Sequence, residues 1–329
     1  MNTQFMKWEG MYTHVKWFTE VHDLHPQPIS EVITSTFLFW LGITLLVLLF
    51  ISIFNEQLEQ VSMVHRVHRI LNALRGYQLT IFRLGLGIGL LLQLSTGAYL
   101  VPTFESDTGW VYALLGTAIA GLLHRRLLPV SGAALSILCL HALSRYGLFY
   151  SLDYMYYAGV IYYLFAANSS WKHTAVPVLY SCTGMSLAWL SMEKMTMASL
   201  ACSLMHEYGL PTIGFTVEDF VLISAFVELG LAWAFIVGLM NRFTALIVSG
   251  IFLSTSTVFG FTEVVGHTVM HTIFLIFLIE GREKSSTLYL FHQTPGMRSM
   301  FVIVNFCILL FSLMAIYVWM GQPGNGFTV

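Results

Sequence analysis

Several long apolar runs of this sequence contain carboxylate and imidazole side chains. Glu263, His267 and His271 follow one another at intervals of four residues, which places them along one side of a helix. Glu228 lies two runs earlier, at about the depth of His271 when each residue is counted as about 1.5 Å of helix. Ionisable groups inside a membrane span are costly and are therefore functional candidates or paired groups.

These residue types are typical metal ligands. Facing helices of a bundle commonly hold a metal ion between inward carboxylates and imidazoles. We therefore predict a metal site built from His267, His271 and Glu228. Mixed ligands of this kind suit zinc, iron or manganese, and imidazole also binds copper. Three residues near the same end of the helices are candidates to complete the site: Glu193, Glu263 and His206.

The same groups also permit chemistry on a quinone. A histidine and a carboxylate that face an apolar cleft can hydrogen-bond to a quinone and protonate its oxygens. Glu228 and His271 are the candidates for these catalytic roles. Lys194 would join them as a base if burial left its amine neutral.

Other interpretations of these residues stay open. They could form a binding stop in a metal-ion or proton transporter, or serve structure alone. The histidines could bond hydroxyls or carbonyls of neighbouring helices. Glu228 could pair with Lys194 or with a histidine, and Lys194 could instead extend to the lipid headgroups.

The composition indicates which elements position these residues. Of 329 residues, 57% are hydrophobic and 10% are charged, and the mean hydropathy is +0.74. A soluble domain has about a quarter charged residues, so lipid must surround most of this chain. Backbone groups in lipid must be satisfied internally, and long continuous apolar runs favour helices over barrel strands. We predict an all-α integral membrane protein.

Composition also argues against several classes of protein. The net charge of −2, without a basic block, disfavours a nucleic-acid partner. The four cysteines include no CxxC pair, which disfavours a zinc ribbon or a disulfide framework. Gly85, Gly87 and Gly89 lie inside an apolar run, where they favour close helix packing over nucleotide binding. The N-terminus lacks the basic start and apolar middle of a signal peptide.

About ten runs are candidate transmembrane helices, since a span needs about twenty mostly apolar residues. The third and fifth are short. The predicted spans are 32–53, 79–101, 110–123, 130–147, 154–167, 176–192, 220–239, 243–261, 264–279 and 301–320.

The basic residues predict an orientation, because cytoplasmic loops collect lysine and arginine. With the N-terminus outside, only Lys7, Lys16, Arg145 and Lys194 of the 15 basic residues fall on the outer side. All the others fall inside. We predict that both termini lie outside a bacterial inner membrane.

Two four-helix blocks, 79–167 and 176–281, share landmarks. Each has an arginine at the turn between its second and third helices, Arg125 in the first block and Arg242 in the second. Each has an acid where its last helix begins, Asp153 and Glu263. Blocks of four spans would be parallel repeats. An outer N-terminal segment (1–31) and single flanking helices (32–53 and 301–320) complete the predicted chain.

Short motifs occur in both blocks. The second block contains Met192-Glu193-Lys194, Tyr208-Gly209-Leu210-Pro211, Val227-Glu228-Leu229-Gly230-Leu231, Gly238-Leu239-Met240-Asn241-Arg242, Glu263 and Glu280-Gly281. These motifs resemble the DoxX-like family of four-helix membrane proteins, which includes the MauE-type proteins. The first block contains Phe82-Arg83-Leu84-Gly85-Leu86-Gly87 and Asp153-Tyr154-Met155-Tyr156. These resemble the HTTM domain of relatives of vitamin K-dependent carboxylase.

The resemblance implies a four-helix bundle in the membrane. It also implies a range of roles, from subunits of quinone-linked oxidoreductases to maturation, metal and redox-stress functions. We therefore predict a membrane redox or metal-handling protein with an outward-facing Glu/His site, for which a quinone or another lipid-soluble molecule is a candidate substrate. The alternatives are a metal-ion or proton transporter and a non-catalytic accessory subunit. A membrane protein or a second copy of the chain is the expected protein partner.

Overall fold

The computed structural model describes residues 25–59, 69–281, 288, 291–292 and 294–327. Most of the predicted outer segment, including Lys7 and Lys16, lies outside these described residues. The complete α-helices are α1 (Ile29–Val32), α2 (Ser35–Glu59), α3 (Gln78–Ser95), α4 (Gly109–Leu122), α5 (Leu128–Ser151), α6 (Tyr156–Ala166), α7 (Ala175–Thr196), α8 (Ala198–Glu207), α9 (Val217–Val237), α10 (Asn241–Phe259), α11 (Phe261–Glu280) and α12 (Pro295–Met320).

The predicted all-α membrane class is confirmed. Each predicted span overlaps one of these helices, and eight helical segments in the described residues are long and apolar enough to cross a membrane. The other two, α4 and α6, are shorter apolar helices. Large apolar side chains cover the outward faces, such as Leu46 (67% exposed) and Leu84 (63% exposed). Lipid tails solvate such faces at no cost, so the outer surface of the bundle is suited to contact with a bilayer.

One predicted helix end is wrong, because the second span stops at Ser95 instead of continuing to residue 101. The chain turns back there, with positive φ angles of 76° at Gly97 and 64° at Leu100. It then forms a hairpin of β1 (Ala98–Tyr99) and β2 (Val101–Glu105). The buried Gln93 side chain donates a hydrogen bond to the Leu100 carbonyl at 2.7 Å, which satisfies this turn inside the protein.

Two further segments refine the prediction. Gly147, where the fourth predicted span ends, has non-helical angles of 79° and 165°, yet α5 resumes and continues to Ser151. This glycine is therefore a kink and not a helix end. In the loop expected after α7, the chain forms the short helix α8.

Eight helices form a closed series. From α3 to α7, and then through α9, α10 and α11, each helix packs on the next, and α11 returns to pack along α3. The last helix of the first block, α6, packs on the first helix of the second block, α7. In the same way, the last helix of the second block, α11, packs on the first helix of the first block, α3. The flanking helices α2 and α12 pack together, with α2 against α9 and α12 against α7.

Small residues let α3 and α11 approach closely. A Cβ atom added at Gly85 would lie 2.3 Å from Thr272 Oγ1, and one at Gly89 would lie 2.7 Å from Val269 Cγ2. The predicted packing role is confirmed for these two glycines. Gly87 faces α4 at an ordinary distance instead.

The two turn arginines bind equivalent helix ends. Arg242 Nε donates to the carbonyl of Leu278, near the end of α11, at 2.7 Å. Arg125 Nε donates to Asn168 Oδ1, just after the end of α6, at 2.7 Å. Each arginine thus fixes the last helix of its own block to the turn between the second and third helices.

Candidate functional site

The first two turns of α11 bring a carboxylate and an imidazole together inside the protein. His267 Nδ1 lies 3.1 Å from Glu263 Oε1, an ion-pair distance that lacks the alignment of a hydrogen bond. Only 1% of Glu263 and 2% of His267 is exposed. The His267 ring stacks on Phe252 of α10, with centroids 4.4 Å apart and planes inclined by 4°. The helical spacing predicted this pair, and the aromatic stack orients its imidazole.

A cleft next to His267 is lined by residues of both four-helix blocks. The space that its side chains leave free suits about one water molecule. Both Asp153 and His267 line the cleft. The remaining lining residues come from α6 and the turn before it, α7, α10 and α11: Tyr154, Tyr156, Ser186, Leu190, Phe252, Gly266 and Met270.

Asp153 was not among the predicted site residues. It is 2% exposed and lies in the 3-10 turn Leu152–Tyr154 that leads into α6. Ser186 of α7 donates a hydrogen bond to the Asp153 backbone carbonyl, which holds this turn against the second block. One signal was present in the sequence, since Asp153 and Glu263 hold corresponding positions in the two blocks.

Lys194 and Glu228 form a pair of their own. The Lys194 amine contacts Glu228 Oε2, and the side chains are 21% and 15% exposed. This is one of the alternatives that the sequence left open for both residues. The pair joins the end of α7 to the middle of α9, and the Glu228 carboxylate balances the charge of the Lys194 amine there.

The other predicted residues occupy separate positions. Glu193 is 2% exposed and lies, like Asp153, within electrostatic range of the Tyr317 phenol on α12. His206 is exposed on α8. His271 is partly buried, packs edge-on against Phe252, and its Nε2 has no hydrogen-bond partner among the described residues.

Among the candidate metal ligands, the structure brings Glu263 and His267 into contact. Within the described residues, no three His, Cys, Asp or Glu side chains are grouped so that they could hold a metal ion. The predicted set of His267, His271 and Glu228 is therefore not assembled as one ligand group here.

No family model, curated protein or solved structure matches this chain. The resemblance to DoxX-like and HTTM proteins therefore stays a prediction, and the functional argument rests on the chemistry of the site.

Proposed function

We propose that this protein binds and releases protons at the cleft between its two four-helix blocks, and that it acts as a proton-exchanging membrane transporter. One observation carries the proposal. Asp153 of the first block faces the same cleft as His267 of the second block, and His267 contacts the buried Glu263.

Proton exchange suits this arrangement better than metal binding. Histidine changes its charge near neutral pH, and neighbouring carboxylates strengthen or weaken its hold on a proton. There is room for a single water in the cleft that Asp153 and His267 both line, and we propose that this water connects them. A proton could then pass between the blocks through hydrogen-bonded groups. Carboxylates and imidazoles buried in a membrane protein typically mark such relays.

The packing of the blocks supports the predicted repeat. In transporters built from repeats, binding sites lie where the repeats meet. The contacts of α6 with α7 and of α11 with α3 are equivalent in the two blocks, and the cleft lies beside the beginnings of α6 and α11. We propose that α4 and α6 also cross the membrane, giving ten crossings with both termini outside a bacterial inner membrane.

Labelling of single cysteines tests this topology. In a variant with the four native cysteines replaced by serine, Asp107→Cys and Ser170→Cys each add one exposed thiol. A membrane-impermeant maleimide should label Asp107→Cys in intact cells. Ser170→Cys should react only after permeabilisation. Labelling of both in intact cells would contradict the ten crossings.

Proton flux into liposomes tests the function. The purified protein would be reconstituted with a pH-sensitive dye inside, and an acid pulse applied outside while potassium and valinomycin clamp the membrane potential. Wild-type protein should acidify the lumen. His267→Ala and Asp153→Asn should reduce the rate to that of protein-free liposomes, because each removes one side of the relay.

The matched control is His206→Ala, since His206 is exposed on α8 and away from the cleft lining. This variant should conduct like the wild type. Wild-type liposomes without flux, or undiminished flux in His267→Ala, would refute the proposal.

A second candidate is the redox or metal function that the sequence predicts, with zinc, iron, copper or a quinone as ligand. It is favoured by His271, because its buried Nε2 has no hydrogen-bond partner among the described residues and is available to a ligand. Elemental analysis and an optical spectrum of the purified protein test it. Stoichiometric metal or quinone that is lost in His271→Ala would establish this function, and absence of both from wild type would exclude it.

A further inference from the structure

A second buried carboxylate lies at the opposite end of α11. Glu280, the last residue of the helix, is 1% exposed. It follows Glu263 by seventeen residues, which corresponds to about 25 Å of helix. This separation is close to the thickness of the hydrocarbon core of a bilayer, about 30 Å. The two acids therefore mark the two ends of one span.

Glu280 is surrounded by groups from four segments. The phenols of Tyr163 on α6 and Tyr180 on α7 lie within electrostatic range of its carboxylate. Arg242 of α10 lies within range of the same Tyr180 phenol and donates to the Ile279 carbonyl at 2.9 Å. Arg75, just before α3, donates to the Glu280 backbone carbonyl at 2.8 Å. Two tyrosines and two arginines therefore face this end of α11.

An unsatisfied polar group lies beside this cluster. Asn241 is next to Arg242 in sequence, is 4% exposed, and has neither amide atom hydrogen-bonded among the described residues. Buried amides without protein partners commonly bind water. Water at this position would give the Glu280 end of the bundle a hydrogen-bonded route toward its nearest surface.

An aromatic layer separates Glu280 from the cleft. Tyr180 stacks on Phe277 with ring centroids 3.7 Å apart, and Phe235 contacts Phe277 and Phe274 at 5.1 and 6.0 Å. All four rings are fully buried. Between His271 and Glu280, α11 carries no ionisable residue. No hydrogen-bonding side chain of this helix crosses the layer to relay a proton.

We propose that Glu280 is a second proton-binding carboxylate, which exchanges protons at the end of the bundle opposite the cleft, and that the aromatic layer is the barrier between the two sites. This inference rests on the proposed function. Protons would enter at one site and leave at the other, and passage would require the layer to move. Charged groups within a span are costly, and a proton on Glu280 would remove its charge while the barrier shifts.

Infrared spectroscopy tests the protonation of Glu280 independently of flux. Difference spectra compare the protein in acidic and in alkaline buffer. Wild-type protein should show the carbonyl band of a protonated carboxyl at low pH, with the shift in heavy water that identifies it. Part of this band should be lost in Glu280→Gln and retained, at a shifted position, in Glu280→Asp. An unchanged band in Glu280→Gln would overturn the proposal.

Flux measurements test the role of Glu280 and of the layer. Glu280→Gln should lose proton flux, whereas Phe274→Ala should conduct faster than wild type because it opens the layer. Phe243→Ala is the matched control, since it makes the same change on an exposed face of α10, where Phe243 is 52% exposed. Phe274→Ala that conducts no faster than this control would refute the barrier.

The two proposals can fail separately. Flux that is lost in His267→Ala but normal in Glu280→Gln would leave the proposed function standing and overturn the role of Glu280. Absence of wild-type flux would overturn both, and the infrared band would then report only whether Glu280 can bind a proton.

Discussion

The contact between α3 and α11 can be tested by replacing Gly85 with alanine. The added Cβ would lie 2.3 Å from Thr272 Oγ1 and 2.6 Å from its Cγ2, whereas carbon contacts are favourable at about 3.5–4.0 Å. Thr272 cannot turn away easily, because it is β-branched and its hydroxyl donates to the Thr268 carbonyl at 2.9 Å. The helices must therefore separate, and such overpacking costs about 1–3 kcal/mol of folding free energy.

Gly87→Ala is the matched control on the same helix. Its Cβ would meet Leu122 Cδ1 at 3.8 Å, an ordinary contact. Replacing a mid-helix glycine with alanine favours the helix by about 0.5–1 kcal/mol. Gly85→Ala has the same helix gain, so the two alanine variants should differ by the overpacking cost alone, about 1–3 kcal/mol in their free energy of unfolding.

Unfolding by sodium dodecyl sulfate in mixed micelles, followed by tryptophan fluorescence, measures this difference. Gly85→Ala should unfold at a lower detergent fraction than wild type, and Gly87→Ala should not. Combining Gly85→Ala with Thr272→Ala should recover part of the loss, because it removes the two closest atoms. Equal stability of the two single variants would refute the close approach of α3 and α11, and with it the closure of the series of eight helices.

Two further predictions concern other parts of the chain. Lys194→Met or Glu228→Gln alone leaves one charge without its part-buried partner and should cost about 1–2 kcal/mol in the same unfolding assay, whereas the double variant should cost less than the sum; additive effects would refute the coupling. Burial and the nearby Glu218 raise the pKa of the Cys202 thiol, so at neutral pH it holds less thiolate than a free cysteine. With the other cysteines replaced by serine, its maleimide labelling should be slow, should rise with pH, and should be faster in Glu218→Gln; a rate that does not change in this variant would contradict the reasoning.

The sequence predicts the helices well because, in lipid, whether a segment is helical depends on its own residues. A segment without water must satisfy its own backbone groups, so each long apolar run becomes a helix whatever lies beside it. The exceptions are places where protein replaces lipid around the chain. The hairpin at Ala98–Glu105 is irregular backbone that the side chain of Gln93 satisfies, and hydropathy carries no sign of such a partner.

The candidate site was predictable only within one helix. A spacing of four residues brings Glu263 to His267 whatever surrounds α11, and this pair is present. Counting residues also estimated the depth of Glu228 along its helix. Depth does not specify the direction in which a side chain points around the helix axis, and Glu228 contacts Lys194.

By itself, then, this sequence determines a helical membrane protein, the bounds of its apolar helices to within about six residues, and the acid–imidazole pair on α11. Only the tertiary structure decides that Asp153 of one block and His267 of the other share a cleft, and that aromatic rings separate this cleft from Glu280. The physical reason is how far along the chain each feature acts. Apolar length and i,i+4 spacing act within one segment, whereas the meeting of distant helices depends on how small residues such as Gly85 and Gly89 let their surfaces approach.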